Sequence, residues 1–319
     1  MPRDHPDGTL AETGEFAVID RLVAGRHQPS FVALGPGDDA AVVTTTDGRA
    51  AVSTDMLVQD RHFRLDWSTP HDVGRKAVAQ NAADIEAMGG RATAFVVAFG
   101  APGDTETKRA VELADGMWHE ADLMGAGIVG GDMVRAPLWV VSVTVLGDLG
   151  GREPVRRSGA KAGDVVAVTG DLGRSEAGHA LWDNGISGFE VLRRRHLVPE
   201  PPYGQGQVAA HAGATAMTDV SDGLLADLGH IAAASGVLID VSSDGLRPDL
   251  AALGEAAAAL GADARQWVLG GGEDHALVAT FTAAPPPGWR AIGRVTGSGA
   301  GRVTVDGAGW EGSPGWQSF

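Results

Sequence analysis

Leu224, Leu225, Leu228, Ile231 and Ala232 recur at helical spacing within MTDVSDGLLADLGHIAAASG (217–236). That spacing predicts an amphipathic helix after Gly223. The same periodicity predicts a helix that starts at Thr69-Pro70-His71-Asp72, with Thr69 as cap and Pro70 at the first position. It runs through Val78, Ala82 and Ile85 and stops at Gly89-Gly90. FVALGPGDDAAVV (31–43) reads as a strand end, a Gly-Pro-Gly turn and a short strand at 40–45, and AAVSTDML (50–57) as a strand ending in a polar cluster. Buried strands at 92–99 and 138–147 flank a helix over 105–124. Beyond the Gly-rich, charged stretch 147–164, VVAVTG opens further α/β structure, with helices near 174–184 and 223–235 and strands at 237–241, 276–281 and 302–305. The Ala-rich 251–260 reads as a surface helix, and AAPPPGW as a loop. GTLAETGEF and GSGAGR are Gly-rich without a clear strand and helix on either side, so both are expected to be loops.

A chain of 319 residues is long for one core and suits two domains, 1–150 and 151–319, joined within 147–164. Glycine, at 47 residues, is about twice its usual ~7% share, which implies many tight turns and close backbone approaches. No run of 18 apolar residues spans a membrane, and the polar, acidic first residues resemble neither a signal nor a transit peptide. With no cysteine there is no disulfide framework, thiolate zinc site or cysteine nucleophile, and a cytoplasmic protein is expected. A formal charge of −16 argues against nucleic-acid and anionic-membrane partners. It leaves room for a phosphate ligand, because clustered Asp residues can hold Mg²⁺ and the metal then presents positive charge to phosphate oxygens.

Carboxylates supply the candidate chemistry. Asp219 and Asp222 lie just before the first turn of the 223–235 helix, where a lone Asp serves as a cap. Asp38 and Asp39 follow a Gly turn, Asp55 follows Ser53 and Thr54 at a strand end, Asp84 precedes the Gly89-Gly90 stop, and Asp132 follows Gly130-Gly131. Each alone is a turn or cap residue. Together they occupy the places where α/β sheets gather ligand groups. Like charges at ~4 Å repel by several kcal/mol near a protein surface, so converging carboxylates call for cations. No GxxxxGK[ST] or HRDxxxxN motif is present, which removes the P-loop and protein-kinase solutions.

TGEFAVIDRL, GDDAAV, STDMLVQDRHF, NAADIEAMGG, GGD, RRSGAKAGD, VTGDLGRSEAG, TDVSDGL and GGEDHAL occur in that order. This series resembles the thiamine-monophosphate kinases of the aminoimidazole-ribotide-synthetase-like superfamily, from about residue 13 to the closing GWQSF. The resemblance implies a two-domain α/β (α+β) fold in which N-terminal strands form a barrel across a homodimer. It further implies an N-terminal ATP/Mg-binding and dimerisation domain and a C-terminal α/β domain. Asp39, Ser53, Thr54, Asp55, Asp84, Asp132, Asp219 and Asp222 would be Mg²⁺ ligands, several ions being held, some through water. Gly131, Asp132, Arg157 and Ser221 would contact ATP, and His62, Glu273 and Trp316 the thiamine-phosphate pocket. Two blocks depart from the family pattern. RHLVPEPPYG lacks the Arg often found after its Pro, and GGEDHAL has His275 where Tyr is common.

The implied activity is ATP-dependent phosphorylation of thiamine monophosphate to thiamine diphosphate by direct in-line transfer assisted by Mg²⁺. No residue is assigned as a general base, because the acceptor phosphate, with a second pKa of about 6, is already largely ionised at pH 7. The rivals are another ATP-using enzyme of the superfamily and a non-catalytic Mg²⁺–nucleotide sensor. Selenophosphate synthesis is disfavoured by the absence of cysteine.

Overall fold

The computed structural model describes residues 8–36, 40–299 and 301–316. Asp38 and Asp39, among the expected turn and metal residues, lie outside the described residues. The chain divides into two compact units, 1–82 with 92–151, and 83–91 with 152–319.

The first unit opens with helices α1 (Leu10–Thr13) and α2 (Glu15–Val23), followed by the short strands β1 (Val32–Leu34) and β2 (Val42–Val43). Strands β3 (Ala51–Val58), β4 (Arg91–Ala101), β5 (Gly127–Arg135) and β6 (Val140–Asp148) form a sheet in the order β3-β6-β4-β5. β3 pairs antiparallel with β6, and β4 pairs parallel with β5. The helices are α3 (Pro70–Ala87), which belongs to this unit through Ala82, and α4 (Thr107–Leu123). Thr69 caps α3 as expected. Its hydroxyl accepts the Asp72 N–H at 3.1 Å, and the Asp72 carboxylate accepts the Thr69 N–H at 3.1 Å.

Three expectations change here. GTLAETGEF is helical rather than a loop. Thr9 and Glu12 form a reciprocal capping box that starts α1, a Thr-x-x-Glu signal hidden by the neighbouring glycines. Asp55 lies within β3 rather than at its end, because the ladder continues through Leu57↔Val141 to Val58↔Val140. GSGAGR is only partly a loop, since strands at Arg290–Ser298 and Arg302–Val305 take in its Gly297, Ser298 and Arg302.

The crossing of α3 and α4 depends on two glycines. A Cβ on Gly74 would lie 2.0 Å from the Leu113 carbonyl oxygen, and one on Gly116 2.0 Å from that of His71. Ala ordinarily stabilises a mid-helix position by ~1 kcal/mol over Gly. Here the sign reverses, and Gly74→Ala is expected to cost about 3 kcal/mol, because backbone has to move. Chemical denaturation of the variant measures it.

The second unit contains the last turn of α3 together with β7 (Val165–Thr169), α5 (Arg174–Asp183), α6 (Glu190–Leu197), α7 (Gln205–His211), β8 (Ala214–Val220) and α8 (Leu224–Ser235). It continues through β9 (Val237–Val241), α9 (Arg247–Leu260), α10 (Ala264–Gly270), β10 (Ala276–Phe281), β11 (Arg290–Ser298) and β12 (Arg302–Val305). Its sheet runs β12-β9-β11-β7-β10-β8, antiparallel except for β12 with β9. Both faces are covered, which explains the continuous apolar runs. Val166, Val168 and Val278 pack with Leu224, Leu228, Ile231 and Leu253 on one side. Ala167, Met217, Leu277 and Ala279 pack with Ala87, Ala209 and Trp289 on the other. The Ala-rich segment is therefore not a purely surface helix. It lies within α9, whose Leu253, Ala256 and Ala257 are buried.

Candidate active site

β8 enters a turn at Ser221-Asp222-Gly223 and leaves it as α8. Only glycine suits position 223, where φ is +132° and a Cβ would lie 2.7 Å from the Gly270 carbonyl oxygen. The Asp227 carboxylate, one turn into α8, accepts the N–H groups of Asp222 at 3.0 Å and Gly223 at 3.1 Å. Helix starts leave N–H groups without intrahelical partners, and Asp227 satisfies those just before this one. The turn that presents Asp222 is thus held from inside the protein.

Two further segments close around this turn. The Glu273 N–H donates to the Ser221 carbonyl at 2.8 Å, and the His275 N–H to that of Val220 at 2.9 Å. Both residues have a left-handed backbone, with φ of +63° and +52°. His275 Nδ1 lies 3.1 Å from Asp219 Oδ2, and both side chains are buried. Between them in sequence, Asp274 turns the other way and accepts the N–H groups of Gly173 at 2.5 Å and Ser175 at 2.8 Å, at the start of α5. At the C-terminus the Trp316 N–H donates to the Asp222 carbonyl at 2.9 Å, and the Trp316 side chain is exposed. Arg157 Nε donates to the Thr218 hydroxyl at 3.3 Å. Among the expected site residues, the second unit therefore groups Arg157, Asp219, Ser221, Asp222, Glu273 and Trp316. Asp84, near the end of α3, acts on His275 through its charge.

The electrostatics are those of crowded carboxylates. Burial and then the Asp219 charge push the Asp227 carboxyl up to about 7, against its two N–H bonds. Burial also raises Asp222; Asp219 adds to the rise, and His230, Arg157 and His275 oppose it. Burial works to lower His275, but its bond to Asp219 and the charges of Asp219, Glu273 and Asp84 outweigh that, so it rises. Asp222, Asp227 and His230 each offer a ligand atom, all within 4.8 Å of one another.

Asp274 provides a pH test away from this cluster. Burial raises its carboxyl from 3.8 to about 7, with the Gly173 and Ser175 N–H bonds and His275 opposing and Asp171 assisting. A raised carboxyl gives stability that is fully present below its unfolded pKa and is lost as pH rises through its folded one. Between about pH 4 and pH 7 this group should therefore make stability fall with pH, by at most about 1.4 kcal/mol per unit. In denaturant titrations across that range, Asp274→Asn is expected to lack this increment.

In the first unit, Ser53, Thr54 and Asp55 lie on β3, with the Thr54 hydroxyl donating to the Val143 carbonyl at 3.0 Å. The Asp55 N–H donates to Asn81 Oδ1 of α3 at 3.1 Å. His62, in the turn after β3, accepts the Val58 N–H on Nδ1 at 3.0 Å. Gly131 and Asp132 lie on β5, and a Cβ on Gly131 would meet the Val97 carbonyl oxygen at 2.1 Å. β3 and β5 are opposite edges of the sheet, so their hydrogen-bond ladders do not bring Asp55 and Asp132 together.

Asp227, Asp274 and His275 escaped the sequence reading as site-shaping residues. Only Asp227 carried a usable signal. It lies three residues after Leu224 and four before Ile231, both fully buried, so helical phase places it on the inward face.

Family models describe the chain as AIR synthase related protein, with the N-terminal domain over residues 37–149 and the C-terminal domain over 161–306. It is 68% identical over 311 residues to the thiamine-monophosphate kinase of Mycobacterium tuberculosis, covering 98% of this chain and 93% of that one. To the thiamine-monophosphate kinase of Corynebacterium glutamicum it is 44% identical over 326 residues, covering 99% and 96%. A solved structure of AaThiL complexed with AMPPCP and TMP superposes with a TM-score of 0.76 at 31% identity, covering 97% of this chain and 98% of that one. The chain belongs to the thiamine-monophosphate kinases, enzymes of the AIR-synthase-related family with its two-domain α/β fold.

Proposed function

We propose that the chain transfers the γ-phosphoryl group of ATP to the phosphate of thiamine monophosphate, giving ADP and thiamine diphosphate. The observation that carries this reading is the acidic turn Asp219–Asp227, held by dedicated buried partners, in a chain that covers 93% of its Mycobacterium tuberculosis relative. Hard carboxylate oxygens suit Mg²⁺. The close approach of Asp222 and Asp227, and the raised Asp222 carboxyl beside Asp219, describe crowded carboxylates that a divalent cation balances, and His230 offers a further ligand atom beside them. Asp219, Asp222 and Asp84 of the second unit are oxygen donors of the kind Mg²⁺ takes, and the family resemblance makes Asp39, Ser53, Thr54, Asp55 and Asp132 of the first unit the proposed further ligands. When bound, Mg²⁺ neutralises phosphate oxygens and the charge that develops during transfer.

The chain's own groups bind and orient. Gly131, Asp132, Arg157 and Ser221 take the nucleotide, Arg157 contributing a guanidinium suited to phosphate. His62, Glu273 and Trp316 take thiamine monophosphate, whose cationic thiazolium suits the Glu273 carboxylate and whose pyrimidine ring suits a stacking indole. No side chain has to remove a proton from the acceptor. In this reading residues 1–150 form the ATP/Mg-binding and dimerisation domain and 151–319 the C-terminal domain. The first unit's open sheet leaves Val52, Met56, Val96 and Val134 exposed, which supports a homodimer whose strands complete a barrel. Among the described residues no helix is long and apolar enough to cross a membrane. The cysteine-free, acidic composition supports a cytoplasmic location.

The test is ADP release with ATP and Mg²⁺, with and without thiamine monophosphate. Release is expected to depend on the acceptor. Nucleotide binding without acceptor-dependent release would favour the sensor.

A further inference from the structure

We propose that His275 is a positioning residue, which fixes the Asp219 carboxylate so that its free edge faces a divalent cation. This rests on the reading of Asp219 as a metal ligand. An ionised carboxylate only accepts hydrogen bonds, so the proton in the 3.1 Å contact sits on His275 Nδ1 and the imidazole donates to Oδ2. With Oδ2 held, Oδ1 is the atom offered to the ion.

The protein fixes both ends of this bond. Asp219 is 3% and His275 6% exposed, so little water competes for the contact. Asp219 sits in β8, paired with Leu277 of β10, while the His275 N–H is tied to the Val220 carbonyl at 2.9 Å. His275, just before β10, has a left-handed backbone, and His is among the residues that tolerate this region. The imidazole is thereby held across from Asp219. Metal sites depend on partners of this kind, because a carboxylate free to rotate loses orientation toward the ion, and loss of such a partner weakens metal affinity or activity about 10- to 100-fold.

The test is Mn²⁺ binding to the full chain, followed by electron paramagnetic resonance without ATP or thiamine monophosphate, for three variants whose folding is followed by thermal melting. His275→Asn places an amide nitrogen close to the position of Nδ1. His275→Leu has nearly the shape of Asn without the donor, and His275→Gln carries its amide one carbon too far. One bound Mn²⁺ is expected to weaken about 10- to 100-fold in His275→Leu and His275→Gln and to stay near its original affinity in His275→Asn. If His275→Leu does not fold, the contrast between Gln and Asn decides. Unchanged Mn²⁺ binding in the donor-less variants, or equal loss in all three, would overturn the proposal. The phosphotransfer reading fails separately, if the unaltered chain makes no thiamine diphosphate.

Discussion

Asp222→Asn and Asp55→Asn are each expected to lower turnover at least about a hundredfold, a loss of roughly 2.7 kcal/mol of transition-state stabilisation, while the protein stays folded. For Asp222 the two effects point in opposite directions. Its backbone holds the turn, donating to Asp227 and accepting from Trp316, and the substitution leaves both bonds in place. Its carboxyl, raised by burial and by Asp219, is electrostatically unfavourable in the ion-free chain, so an uncharged amide should leave the melting temperature unchanged or higher. Falling activity with maintained stability is the signature of a functional carboxylate rather than a cap. At Asp55 the bond from its backbone N–H to Asn81 likewise survives the change. Steady-state rates at limiting and saturating Mg²⁺, with thermal melts of the same samples, measure both quantities. Near-normal turnover of both variants at limiting Mg²⁺ would defeat the metal-cluster reading.

Much of this molecule was legible in its sequence where local chemistry decides structure. The Thr69-Pro70 start of α3 and the helical spacing from Leu224 to Ala232 specify their helices through caps and periodicity, and both form as expected. β8 and β11 escaped for a different reason. ATAMTDV mixes small, polar and apolar residues, and its side chains are buried only because α7 and α8 cover the two faces of that sheet. Burial supplied by distant elements leaves no period in the strand itself. β5 was hidden by Gly130-Gly131, which reads as a turn; the space the Val97 carbonyl occupies beside the strand, and not a turn, requires glycine at 131.

The acidic turn shows the same division. The positions of Asp219 and Asp222 before a helix follow from the sequence, because Gly223 and the apolar spacing mark the boundary. What distinguishes them from ordinary caps is not local. His275 reaches Asp219 across 56 residues, and the loop that carries it is placed by antiparallel pairing of β10 with β8. Asp274, adjacent in the chain, serves α5 at a separation of 99 residues. Two neighbouring residues with opposite assignments cannot be sorted by type or spacing, and only the left-handed kink from Glu273 to His275 separates them.

The choice of acceptor separates phosphoryl transfer onto a phosphate from transfer onto a hydroxyl. A hydroxyl has a pKa far above 7 and needs a positioned base to lose its proton during attack. The carboxylates of the acidic turn are committed elsewhere: Asp227 accepts two N–H groups, Asp219 faces His275, and in the proposed reading Asp222 would hold a cation. The monophosphate brings its own anionic oxygen, with a second pKa of about 6, and in the proposed reading it would gain orientation from the bound Mg²⁺. The measurement is to supply thiamine monophosphate or free thiamine separately with ATP and Mg²⁺ and to separate the products by chromatography. Thiamine diphosphate formed from the monophosphate, with no phosphorylated product from free thiamine, is the expected result. Comparable product from free thiamine would contradict the base-free mechanism, and no product from either acceptor would contradict the assignment of the reaction itself.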